Sequence, residues 1–94
     1  MRRYVIERDF PSGLEVPADA AGQDAMRAIV RNNGSEGVTW VHSFVTSDHK
    51  KAFCIYDGPS PEAIRRAAGL NDLPIDAIHE VSVLDPYFYL GRTS

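Results

Sequence analysis

Two apolar, β-branched runs set the first constraint on this chain. Val38 to Thr46 reads V-T-W-V-H-S-F-V-T, and Ala52 to Tyr56 reads A-F-C-I-Y. Between them lies a short polar stretch, Ser47-Asp48-His49-Lys50, before the second run resumes. Two such runs joined by so short a loop predict a β-hairpin. A hairpin alone is marginal in water, so the remaining elements have to extend and cover it.

The flanking segments supply those elements. Arg3 to Asp9 is aromatic and β-branched and stops at Pro11-Ser12-Gly13, which predicts a first strand. From Ala18 to Asn33 the apolar period becomes helical, with Ala25, Met26, Ile29 and Val30 on one face. Asp19 is placed to cap that helix and Asn33-Gly34 to end it, while Gly22 weakens its first turns. Ser60 followed by Pro61 announces a second helix, whose small apolar face is Ala63, Ile64, Ala67 and Ala68. Ile78 to Leu84 completes the set as a fourth strand. An aromatic tail follows from Asp85 to Ser94, so the expected division is a domain over 1–84 and a tail over 85–94. The order β-α-β-β-α-β predicts an α+β, ferredoxin-like sandwich: a four-stranded antiparallel sheet, strands ordered four-one-three-two, with two helices on one face.

Bulk properties narrow the partners. Ninety-four residues make a single core. The formal net charge is −3 and no basic stripe exists, which argues against a nucleic-acid binder. The one cysteine, Cys54, excludes an intramolecular disulfide and a Cys₂ or Cys₄ zinc site within one chain. The first ten residues are charged and lack the apolar run of a signal peptide. No apolar stretch approaches the roughly 18 residues of a membrane span. The expectation is a cytoplasmic protein without a membrane or nucleic-acid partner. No G-x-S-x-G elbow and no phosphate-cradling glycine loop is present.

Alternation with period two assigns the strand faces. With an even-numbered hairpin loop, Phe44 lies opposite Phe53. The face left without helices is then expected to carry Val5, Glu7, Trp40, His42, Phe44, Phe53, Ile55, Ile78 and Glu80. The helix-covered core is expected to take Tyr4, Ile6, Val41, Val45, Val81 and Val83, with Ser43 and Cys54 beneath the helices. An odd-numbered loop would instead place Cys54 beside His42. An apolar sheet face without helices is expected to be covered by a second copy of the chain. On that face Glu7, Glu80 and His42 are candidates to bind a cation, to move a proton, or to pair with an arginine such as Arg8 or Arg66.

Several blocks in order resemble a known family. They are Y-V-I-E-R-D-F-P from Tyr4, W-V-H-S-F-V-T from Trp40, F-C-I-Y-D-G-P from Phe53, E-A-I-R from Glu62 and I-H-E-V from Ile78. Together they are similar to the small nickel-binding, ferredoxin-like domain family, much of it described as a domain of unknown function. The resemblance spans about residues 3–83. It implies a dimer that binds nickel, with Glu7, His42 and Cys54 at the positions of the family's glutamate, histidine and cysteine. Relatives often carry E-A-I-R-x-H-A in the second helix; this chain has E-A-I-R-R-A-A, with Ala67 at the histidine position.

The expected function is therefore a small cytoplasmic binder of nickel or a similar divalent transition metal. Its candidate ligands are Glu7, His42, Cys54 and Glu80, and imidazole and oxygen ligands suit nickel. The alternative is a cofactor-free, dimeric α/β-barrel enzyme, a monooxygenase or isomerase. There an apolar substrate lies between sheet and helices, and His42 or Glu7 is the base. A binding module without chemistry is the third reading.

Overall fold

The computed structural model describes residues 1–90, with side chains through Phe88. The expected elements form in the expected order: β1 (Arg2–Asp9), α1 (Ala20–Ser35), β2 (Thr39–Val45), β3 (Lys51–Gly58), α2 (Pro61–Asn71) and β4 (Ala77–Val81). A short α3 (Pro86–Leu90) follows, in the segment read from sequence as an aromatic tail. The last four positions of that tail, 91–94, lie outside the described residues. The sheet order is β2-β3-β1-β4, so the fold is the α+β, ferredoxin-like arrangement.

The helix boundaries follow from local chemistry. Asp19 has an extended backbone, and its carboxylate accepts from the Gly22 amide, which satisfies one of the donors left free at a helix start. Gly22 stands in the first turn of a helix that starts at Ala20. It is required there, because a Cβ at Gly22 would collide with the Pro17 carbonyl oxygen. Asn33-Gly34 does not end the helix either, which runs to Ser35. In α2, the Ser60 hydroxyl accepts from the Ala63 amide at 3.2 Å, and Pro61 occupies the first turn, where no intrahelical partner for its nitrogen is needed. Its buried face is the expected one: Ala63, Ile64, Ala67 and Ala68.

Strands β1 and β3 alternate strictly. Tyr4, Ile6 and Arg8 are buried on one side of β1, and Ala52, Cys54 and Tyr56 on the same side of β3. All of these except Arg8, with Val38 and with Ala63, Ile64 and Ala67 of α2, form the core. The hairpin loop is even-numbered, and Phe44 does pair with Phe53. Three face assignments from sequence need correction. First, β2 carries a register irregularity between Trp40 and His42: Trp40 pairs with Tyr56 while His42 pairs with Ile55. The extra residue, Val41, turns Trp40 to the helix side, where it packs against the core, and leaves Val41 39% exposed. Second, β4 has the opposite phase. Ile78 pairs with Ile6 and packs on the core, and Glu80 pairs with Tyr4 on that same side. Val81 faces the open side opposite Arg3, and Val83 lies beyond the strand, exposed. Third, Val45 belongs to the helix side by its pairing with Ala52, yet it stays exposed at the sheet edge. In α1, the inward positions are Gly22, Met26, Ile29 and Asn33, whereas Val30 and Ala25 face solvent.

Gly22→Ala is expected to destabilise the fold by about 2 kcal/mol or more, because the overlap is with backbone that cannot step aside. Gly34→Ala, in the same helix with open space at its Cβ, is expected to stabilise by up to about 1 kcal/mol. Urea denaturation of the two variants against wild type measures both shifts.

Candidate metal centre on the open sheet face

The register places side chains in rows across the uncovered face. One row runs His42–Ile55–Val5–His79 from the β2 edge to the β4 edge. The adjacent row runs Phe44–Phe53–Glu7–Ala77. Beyond the first row, Arg3 and Asp57 pair with each other. Hence Glu7 and His42 do project from the same side. They are not neighbours: two strand spacings of about 4.8 Å each separate β1 from β2, and Phe53 and Ile55 fill the interval.

The partner that Glu7 does meet is His79. Its Nε2 stands 3.3 Å from Glu7 Oε2. The sequence reading gives His79 no role, because it puts β4 in the opposite phase. The apolar pattern of β4 carries no signal for it; the docking of Ile78 opposite Ile6 is what sends His79 to the side of Glu7. His42 packs edge-on against Phe44, ring centroids 5.1 Å apart. The remaining two expected ligands lie elsewhere. Cys54 is buried beneath the helices, because it pairs with Ile6 and Ser43 on the core side. Glu80 is on that same side, at the exposed β4 edge, and reaches Arg2 at 3.7 Å. Among the described residues no three His, Cys, Asp or Glu side chains converge. Ala67, 2% exposed, belongs to the core cluster with Cys54 and Tyr56, so a side chain at that position does not join the open-face set.

At the far end of the open face the Arg3 guanidinium grips Asp57 through two bonds, Nε to Oδ1 at 2.8 Å and Nη2 to Oδ2 at 3.0 Å. The hydrogen bond from Arg3 holds the Asp57 carboxyl below its ordinary value. Neither Arg8 nor Arg66 pairs with Glu7 as expected. Arg66 bonds Glu36 at 3.0 Å. Arg8, one residue after Glu7, points through the sheet to the other side and is only 2% exposed.

There Arg8 borders a cavity of about 290 Å³ between the sheet and α1. Phe10, Met26, Ile29, Trp40 and Tyr56 make much of its wall, which is almost wholly apolar. Neither His42 nor Glu7 borders it, since both leave the opposite face of the sheet. An enzyme using either as base on a substrate held between sheet and helices does not fit this geometry.

Comparison with known proteins agrees with the fold and the resemblance. A family model described as "Nickel responsive protein SCO4226-like" matches residues 4–81. The chain belongs to the SCO4226-like family. The crystal structure of SCO4226 from Streptomyces coelicolor A3(2) is similar, with a TM-score of 0.68 at 20% identity, covering 88% of this chain and 99% of that one. At that identity the likeness speaks to the fold. No curated protein matches the chain. The SCO4226-like description ties this small α+β protein to nickel. No helix among the described residues is long and apolar enough to cross a membrane.

The Arg3–Asp57 clamp gives a pH dependence of definite sign. A depressed carboxyl pKa contributes stability that is present above the unfolded aspartate value and is lost as pH falls through the folded one. Asp57 is therefore expected to titrate below 3.8 in a carboxyl-detected NMR titration. Arg3→Ala should return it to the ordinary range and remove that contribution near neutral pH, so that the stability difference from wild type vanishes in acid.

Proposed function

We propose that this protein is a small cytoplasmic, homodimeric binder of divalent transition metal, with nickel its first candidate, and that the site is completed between two copies. The supporting observation is the Glu7–His79 pair on an uncovered sheet face that also carries His42. The donor chemistry fits nickel, which takes imidazole nitrogen and carboxylate oxygen. The donor number in one chain does not, since two side chains leave most of an octahedron to water.

A second copy can supply the missing donor. The open face is apolar around the pair: Val5, Phe53 and Ile55 are half-buried and Phe44 is 62% exposed. Such a patch favours association. If two sheets stack face to face about an axis parallel to the strands, the order β2-β3-β1-β4 is reversed in the upper sheet. The β2 edge then lies over the β4 edge, and His42 of the partner subunit comes over Glu7 and His79. Symmetry repeats the arrangement, giving two sites per dimer. Cys54 and Glu80, the other expected ligands, have no part in this reading. The free thiol of Cys54 suits a reducing compartment.

Calorimetric nickel titration of the untagged protein, with sedimentation to fix the oligomer, tests the reading. One nickel per chain in a dimer is expected. His79→Ala, Glu7→Gln and His42→Ala should each weaken binding by about tenfold or more, the range over which loss of a supporting partner is felt at metal sites. Cys54→Ser should leave it unchanged. Binding to a monomer, or affinity that survives His42→Ala, would refute the shared site.

A further inference from the structure

The cavity on the helix side holds a charge without a counter-ion. Arginine stays protonated at any ordinary pH. Burying such a cation costs several kcal/mol unless an opposite charge or a full set of acceptors meets it. Arg8 is 2% exposed, and among the described residues it has no carboxylate partner. Its contacts are all neutral. Nη1 donates to the Pro74 carbonyl at 2.7 Å, Nη2 donates to the Tyr56 hydroxyl at 3.3 Å, and the guanidinium lies 5.7 Å from the centre of the Tyr56 ring. Nε is buried and has no hydrogen-bond partner. A five-donor group thus spends two donors on two neutral acceptors, beside about 290 Å³ of apolar space.

We propose that this cavity binds a small monocarboxylic acid with an aromatic or branched apolar body, its carboxylate on Arg8 and its body against Met26, Ile29 and Trp40. A carboxylate presents two oxygens to the planar guanidinium fork, the pairing for which arginine is best shaped. Nη1 and Nη2 donate once each, which leaves each of them a second hydrogen to offer. The Tyr56 hydroxyl accepts from Arg8 and keeps its own proton to donate; burial pushes that phenol up, so the proton stays on through the neutral range. A single negative charge balances the single positive one, which disfavours a phosphate dianion. The volume is at the lower end for ligand sites, so a long-chain lipid is too large. This site is separated from the Glu7–His79 pair by the sheet itself, and it stands or falls independently of the metal reading.

Trp40 is the chain's one tryptophan and borders the cavity, so its fluorescence reads occupancy directly. The probe is 3-phenylpropionate, with 3-phenylpropan-1-ol as its uncharged counterpart. The acid is expected to give a saturable change, tighter than the alcohol by about tenfold or more, and Arg8→Met should abolish the difference. Because Arg8→Met removes a buried side chain, the Nε–H resonance of Arg8 in the wild-type protein is followed in parallel by NMR. It should shift with the acid at the same midpoint and not with the alcohol. No saturation at about ten-millimolar acid, equal binding of acid and alcohol, or an unmoved Arg8 Nε–H would each overturn the assignment.

Discussion

Strand β1 is hydrogen-bonded along both edges, to β3 on one side and β4 on the other, and every site in the molecule takes its place from that ladder. A strand held on both flanks cannot rotate or slip, because a shift by one residue would exchange its two faces. Tyr4 and Ile6 are fully buried, and their burial fixes the phase. Once they point toward the helices, Val5 and Glu7 must point away, and Arg8 must follow Ile6 inward. The two chemically distinct features of this protein are thus adjacent residues: a carboxylate delivered to one face and a guanidinium to the other, with the sheet between.

That phase was legible where strands alternate plainly. The sequence of β1 and β3 alternates large apolar with mixed residues, and the capping residues Asp19 and Ser60-Pro61 state their helices locally. The pairing of Phe44 with Phe53 follows from the loop parity. What was not legible depended on contacts between elements. The phase of β4 could not be taken from hydrophobicity, because Ile78, Val81 and Val83 are all apolar. It is set by docking: the Asp76 amide donates to the Glu7 carbonyl, and Ile78 then falls opposite Ile6. The extra residue at Val41 leaves no mark on composition either, since V-T-W-V-H-S-F-V-T alternates no worse with it than without it.

The candidate site was half legible for the same reason. Glu7 and His42 were placed on the open face by parity, and they are there. The sequence reading gives Glu80 rather than His79 a place beside them because it puts β4 in the opposite phase, and it adds Cys54 because the resemblance implies it. Arg8 is the less foreseeable case. An arginine beside a glutamate near a strand end reads as a surface ion pair, worth little when exposed. Period two already sends it to the face opposite Glu7; what the sequence does not show is that it is buried there beside a cavity.

The irregularity in β2 has a consequence for anyone comparing homologous chains. Upstream of it, Val38 and Trp40 follow one beat, and downstream Ser43 and Val45 follow the other, although all four face the helices. A relative with a straight ribbon here will match this chain on one side of Val41 only if a one-residue gap is opened at that point. Without the gap, its inward aromatic aligns with an outward valine or threonine, and a substitution table built on such an alignment would record a change of environment that never occurred.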